Sequence, residues 1–169
     1  MFKNTVLFTI GLLGAIFAAQ FPAFYDQYVQ RLGGALDEVN RAARDIEKIA
    51  SDVGKTAPTL IDELLWEGGR NASIGSTYAE IFDRQEYLTT VHIRLGSAPI
   101  WAQFFALGRY ADPDIMSGTW RDYAPGMPVS WAGFLYAAVG FFITGVLYET
   151  LLWLIWLPVS YWSRRSEAP

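Results

Sequence analysis

Two long apolar stretches, at residues 5–24 and 129–157, flank a middle region that carries nearly all of the charged side chains. A helix of about 20 residues crosses the hydrocarbon core of a bilayer. Each stretch is long enough for one crossing, and no segment of the chain shows the alternation expected of a strand. The pattern therefore predicts an all-α membrane protein in which two transmembrane helices form a hairpin, with a helical extramembrane domain between them.

Apolar residues recur at alternating spacings of four and three from the first stretch into the polar region. The face that they form has small residues inside the stretch and mostly larger ones beyond it: Gly11, Ala15, Ala18, Pro22, Tyr25, Val29, Leu32, Leu36, Val39, Ala43, Ile46, Ala50 and Val53. This spacing is typical of helices that pack along their length. We expect one helix to run from the membrane to about residue 53, with Pro22 as its weakest point because proline removes a backbone donor.

Turn residues divide the rest of the middle region into shorter helices. The predicted helices cover residues 25–53, 58–67, 76–95, 98–110 and 113–121. Residues 71–75 are expected to form a loop, with Ser76 capping the helix that follows. That helix repeats apolar residues at threes and fours, so we expect it to pair with the long helix as an antiparallel, coiled-coil-like domain. The predicted organisation is a first span over 1–24, this domain over 25–128, a second span over 129–158 and a tail over 159–169.

Both spans carry a face of small residues. Helices in lipid gain little from apolar burial and associate through small side chains that let their backbones approach closely. We expect the spans to pack through these faces, which comprise Gly11, Ala15 and Ala18 on the first and Gly133, Ala137, Gly140 and Thr144 on the second. Gly14 is also expected to be a packing glycine, because no strand precedes it to suggest a nucleotide-binding loop.

The distribution of charge predicts the orientation in the membrane. Basic residues flank both spans at the chain ends, as Lys3 and as Arg164 and Arg165, and short basic flanks stay in the cytoplasm. The middle region has ten basic and fifteen acidic residues, a net charge of 10 − 15 = −5. We expect both termini to be cytoplasmic and the acidic domain to lie in the periplasm of a bacterial inner membrane.

Glu149 is the clearest candidate for a functional side chain, because a carboxylate inside a span is costly. Its depth in the second span is similar to that of Lys3 in the first. We hypothesise that the two form an interhelical charge pair that fixes the hairpin. Two alternatives stay open: each side chain extends separately to the headgroups, or Glu149 handles a proton or a ligand.

His92, the only histidine, lies on the apolar face of its predicted helix, two turns after Gln85. Polar residues on such a face most often select the register or the partner helix. A half-exposed histidine and a metal-binding or acid-base residue are the alternatives. The chain has no cysteine and no second histidine, so we expect no metal, no cofactor and no catalytic residue.

Aromatic residues cluster near the end of the second span, with Trp153, Trp156 and Trp162 as the main members. Tryptophan concentrates at the boundary between lipid and water, so these residues are expected to form an interfacial belt. The alternative is that they pack against a pigment, a quinone or a neighbouring subunit.

Several segments carry a resemblance to a known family. The sequence AQFPAF at 19–24, continued by QYVQRLGGALDE at 27–38, resembles the opening of an uncharacterised bacterial family of two-span inner-membrane proteins, a domain-of-unknown-function family. Residues 122–133, with Pro125 and Pro128, are similar to the return of that family into the membrane. The resemblance implies a bacterial inner-membrane protein and implies no activity.

These observations favour a non-enzymatic structural or accessory subunit of an inner-membrane assembly, which holds partner subunits through its hairpin and its periplasmic helical stalk. A self-assembling homo-oligomeric scaffold is one alternative, and an enzyme or transporter component working at Glu149 or His92 is another. The expected partners are membrane lipids and other membrane subunits or further copies of the chain. Nucleic acid is not expected, because the cations are spread singly among carboxylates.

Overall fold

The computed structural model describes the backbone of residues 2–126 and 130–165 and the side chains of residues 3–126 and 130–156. Within these residues every regular element is a helix: α1 (Phe2–Ala19), α2 (Phe21–Asp52), α3 (Ala57–Glu67), α4 (Gly69–Gly96), a 3₁₀ turn (Ile100–Ala102), α5 (Gln103–Tyr110), α6 (Pro113–Asp122) and α7 (Trp131–Arg165). Two helical segments are long and apolar enough to cross a membrane, one near the N-terminus and one at Trp131–Trp156. The predictions of an all-helical fold and of two candidate spans are therefore confirmed.

The chain divides into two compact units, of which the first joins Met1–Phe24 to Ala124–Pro169. Its helices α1 and α7 pack side by side in antiparallel directions. The rings of Phe8 and Phe141 meet edge to face at 5.9 Å, and those of Phe21 and Tyr136 lie 5.0 Å apart. Ser130 caps α7 as its type and position favour, because its Oγ accepts a hydrogen bond from the Gly133 amide at 3.1 Å.

Glycines bring α1 and α7 into backbone contact. A Cβ added to Gly140 would lie 2.5 Å from the Ala18 Cβ and 2.6 Å from the Gly14 carbonyl oxygen, and a Cβ on Gly14 would overlap the Thr144 side chain. A Cβ added to Gly11 would lie 2.7 Å from the Phe141 ring. The two backbones can approach this closely only because these positions have no side chain.

The second unit is Tyr25–Tyr123. Here α2 and α4 run antiparallel: the Tyr25 hydroxyl meets the end of α4 at the Leu95 carbonyl oxygen, 2.6 Å away, and the far end of α2 shares a core with the start of α3 and the middle of α4. The apolar face predicted for α2 is largely turned inward. Its most buried members are Tyr25, Leu32, Ala43, Ile46 and Ala50, to which the structure adds Tyr28.

The long N-terminal helix expected over residues 11–53 is interrupted at Gln20, between α1 and α2. Pro22 explains the position, because it has no amide hydrogen to donate to the carbonyl four residues earlier and its ring crowds that carbonyl. The Phe24 amide donates to the Gln20 carbonyl oxygen at 3.1 Å, so helical bonding resumes within one turn. Val53, the last member of the predicted face, lies beyond α2 and is exposed.

Residues 71–75, expected to be a loop, are helical because α4 begins at Gly69. Gly68 and Gly69 have φ angles of 74° and 58°, which glycine adopts without strain, and they complete the reversal between α3 and α4 in two residues. Ser76 does not cap this helix; its hydroxyl donates to the Ser73 carbonyl oxygen inside it. At the other end of the chain the helix expected to stop near residue 158 continues to Arg165.

Candidate functional site

One end of the membrane hairpin combines a charge pair with an apolar groove. Lys3 Nζ lies 3.0 Å from Glu149 Oε2, with the side chains 59% and 45% exposed. The structure thus brings together the two residues of the hypothesised pair. Their exposure means that the pair is held at the hairpin surface and not inside the contact between the helices.

The groove beside this pair has a volume of about 540 Å³. Its lining is mostly apolar, with polar groups at one edge: Asn4, Leu7, Phe8, Phe141, Phe142, Gly145, Val146, Glu149 and Thr150. The Thr150 hydroxyl donates to the Val146 carbonyl oxygen of its own helix at 2.8 Å. Such a surface can receive an apolar chain or the side of another helix, and its polar edge can exchange hydrogen bonds with a peptide group or a polar side chain.

The predicted small residues of the hairpin differ in their roles. Gly11, Ala18, Gly140 and Thr144 lie at the helix contact, and Gly133 is buried. Ala15 and Ala137 are half-buried beside it. The centre of the contact includes Gly14, which the predicted face Gly11, Ala15 and Ala18 omits. The sequence predicts Gly14 only as a packing glycine, one residue away from that face, and the structure places it at the centre of the contact.

In the second unit the most buried charged group is Asp112, whose side chain is 3% exposed. Asp112 precedes Pro113 and caps α6: its Oδ1 accepts hydrogen bonds from the Asp114 and Ile115 amides at 3.1 and 3.0 Å. Its Oδ2 accepts from Arg84 Nη1 at 2.6 Å. Burial alone would raise the pKa of this carboxyl, but the hydrogen bonds from Arg84 and from the amides outweigh it and hold the pKa below its usual value.

Tyr28 belongs to the same cluster and is fully buried. Its hydroxyl accepts a hydrogen bond from the Asp112 backbone amide at 2.7 Å. Burial raises the pKa of Tyr28 to about 12. Tyr28, Arg84 and Asp112 therefore join α2, α4 and the start of α6 through buried or half-buried polar contacts.

Arg31 makes a second attachment between α2 and α6. Its Nη1 lies 2.9 Å from the Gly118 carbonyl oxygen and 2.9 Å from Asp122 Oδ2. Hydrogen bonds from Arg121 and from Arg31 lower the pKa of Asp122. Sequence reasoning missed these contacts: the Asp-Pro pair identifies Asp112 as a cap, but nothing local identifies arginines 28 and 91 positions away in sequence as partners of Asp112 and Asp122.

The two polar residues predicted for the face of α4 have different neighbours. Gln85 Nε2 donates to Asn40 Oδ1 at 2.8 Å, a hydrogen bond between α4 and α2. His92 is half-buried and its Nε2 lies 3.8 Å from the place where a Cβ of Gly33 would be. No cluster of three or more potential metal ligands occurs among the residues that the structure describes.

Trp153 and Trp156 are exposed on α7. The side chain of Trp162, the third predicted member of the aromatic belt, lies outside the described residues. The belt and its alternatives stay predictions.

A family model described as "Protein of unknown function (DUF2937)" matches residues 2–160, nearly the whole chain. No curated protein and no solved structure matches the chain. The resemblance to a family of unknown function is thereby confirmed.

Proposed function

The chain belongs to the DUF2937 family of unknown function, and we propose that it is a non-enzymatic structural or accessory subunit of a bacterial inner-membrane assembly. In this proposal α1 and α7 cross the membrane as a rigid hairpin, and the groove on the hairpin receives a transmembrane helix of a partner subunit. The α2 and α4 pair forms an antiparallel, coiled-coil-like stalk in the periplasm, and both termini are cytoplasmic.

The observation that carries the proposal is the groove with its polar edge. Lipid tails can fill an apolar groove, but they offer no hydrogen-bonding group to its polar edge, where Asn4 lies beside Glu149, which is paired with Lys3, and Thr150, which bonds to its own helix. A partner helix offers both apolar side chains and hydrogen-bonding groups, so it matches the whole lining. The backbone contact at Gly14 and Gly140 keeps the two walls of the groove at a fixed separation, because neither helix can shift without a clash.

The polar contacts of the second unit support a role in positioning. The hydrogen bonds of Tyr28, Arg31, Arg84 and Asp112 are made to other elements of the same unit. Such groups hold helices in place, which is what a subunit that presents a fixed surface requires. The basic residues at both chain ends support the cytoplasmic placement of the termini.

Val146 and Leu147 provide a matched pair of positions for testing the groove. They are 64% and 63% exposed, and only Val146 lines the groove. Consecutive residues of a helix point about 100° apart, so the two side chains face different surroundings. We would place a photo-crosslinking phenylalanine analogue at each position of the full-length chain in native membranes and identify the adducts by mass spectrometry.

The proposal predicts one discrete adduct from position 146, formed with a different polypeptide, and only lipid adducts from position 147. The same polypeptide should copurify in fixed stoichiometry in native mass spectrometry and be lost when Val146→Trp fills the groove. An adduct with the mass of a dimer of this chain would favour the homo-oligomeric scaffold instead. Lipid adducts alone at both positions would overturn the proposed partner site.

A further inference from the structure

The 3₁₀ turn and α5 expose three large aromatic side chains on one side. Trp101, Phe104 and Phe105 are 79%, 60% and 72% exposed, and their spacing of three and one places them on a common helical face. Leu107 points the other way and is buried in the second unit. This segment is thus held by one side and presents aromatic rings to its surroundings on the other. Exposed aromatic patches of this kind mark interaction surfaces.

The charge around these rings differs from that of the rest of the domain. No carboxylate occurs between Glu86 and Asp112, whereas the segment contains Arg94 and Arg109. Both guanidinium groups lie over the Tyr110 ring, with the Cζ atoms 5.5 and 5.7 Å from its centre. In a middle region with a net charge of 10 − 15 = −5, this is the longest stretch without a carboxylate, and it combines two arginines with several aromatic residues. Aromatic rings flanked by arginine match the headgroup region of a bilayer that contains anionic phospholipid.

Two hydrogen bonds and a short length of chain connect this segment to the first candidate span. The residues at its two ends are tied to the beginning of α2, through Leu95 to Tyr25 and through Asp112 to Tyr28. Tyr25 follows Ala19, the last residue of α1, by six positions. Six residues span at most about 20 Å even when fully extended. The length of the connection therefore permits the aromatic segment to reach the bilayer surface at which the first candidate span ends.

We propose that the face formed by Trp101, Phe104 and Phe105 lies in the headgroup region of the bilayer that α1 crosses, with Arg94 and Arg109 directed to anionic phospholipid. The 3₁₀ turn and α5 then form an interfacial anchor, a third attachment of the chain to the membrane. The anchor fixes the base of the helical domain against the bilayer surface. The proposal goes beyond the partner site on the hairpin and does not depend on it.

The absence of cysteine allows a direct measurement of depth with single spin labels. Phe105→Cys places a nitroxide on the aromatic face, and Trp66→Cys provides the control, because Trp66 is 90% exposed on α3 beside Glu63 and Glu67. The control also lies at the other end of the domain: α3 shares a core with Ala50, which is about 38 Å along α2 from Tyr25 at 1.5 Å per residue. The full-length labelled chain is reconstituted in nanodiscs of phosphatidylcholine and phosphatidylglycerol. Power saturation then compares access of molecular oxygen and of a neutral, water-soluble nickel chelate.

The label at 105 should show a ratio of oxygen access to nickel access several-fold higher than the label at 66. Arg109→Gln in the Phe105→Cys background should reduce that ratio in the anionic nanodiscs. Equal, water-like ratios at both positions would overturn the proposal. So would low access to both reagents together with dipolar broadening that disappears on dilution with unlabelled chain, since this would place a second copy on the face. Circular dichroism of each variant, and a second label at Trp101→Cys, separate these outcomes from misfolding.

Discussion

The buried contact between Asp112 and Arg84 gives the most quantitative prediction. Asp112→Ala removes the cap of α6 and the acceptor for Arg84, but it keeps the backbone amide that donates to Tyr28. Losing a cap costs about 1 kcal/mol. Losing a hydrogen bond to a charged group costs about 1.5–3 kcal/mol. The lower figure applies here, because the Arg84 side chain is 38% exposed and hydrates once it is released. Together the two losses are about 2–3 kcal/mol.

Hydrogen exchange of the α6 amides, measured by mass spectrometry on the full chain in nanodiscs, reports this loss as faster opening. A change of 2–3 kcal/mol corresponds to roughly 30- to 150-fold faster exchange. Asp114→Ala is the control, since this exposed residue of the same helical turn should change exchange by less than roughly fivefold. A cycle with Arg84→Met should give a coupling of about 1–2 kcal/mol. If Asp112→Ala were as mild as Asp114→Ala, or if the coupling were zero, the contact would not hold α6 in place.

Three further predictions concern pH and the hairpin. Burial raises the pKa of Tyr28 from 10.0 to about 12, so the stabilisation of the folded state by the protonated hydroxyl is complete below pH 10 and is lost as the pH rises towards 12. The difference in melting temperature between wild type and Tyr28→Phe should shrink over that interval. A constant difference would contradict the burial argument. Gly140→Ala should lower the melting temperature in detergent micelles clearly more than Gly145→Ala. The added methyl group would meet the backbone of α1 at position 140, whereas at position 145 it would meet only Leu7 Cδ1, at 3.8 Å. Equal effects would refute the close backbone contact. Lys3→Met and Glu149→Gln should each lower the stability of the hairpin, because each single change leaves one charge without its partner. The double variant should recover part of the loss. Strictly additive effects in the same assay would show that the two side chains act separately.

Some features of the candidate site could be predicted from the sequence, and others depend on contacts between distant residues. Lys3 and Glu149 could be paired from sequence, because each depth follows from counting residues along a span of known rise. The groove beside them could not be predicted, because its shape depends on which sides of α1 and α7 meet. Gly14 illustrates the difference: the sequence identifies it as a packing glycine, but only the structure shows that the two backbones come closest there.

The amino-acid sequence by itself determined the helical class, the two candidate spans and the inward face of α2. These properties depend on periodicity, length and hydrogen bonds within a few residues, all of which are visible along the chain. Only the tertiary structure decided that α3 and α4 reverse at Gly68 and Gly69 without a loop, and that Arg84 pairs with Asp112 and Arg31 with Asp122. The physical reason is that a salt bridge between distant residues leaves no periodic trace. Its partners are selected by how the helices pack, which the local sequence of neither residue encodes.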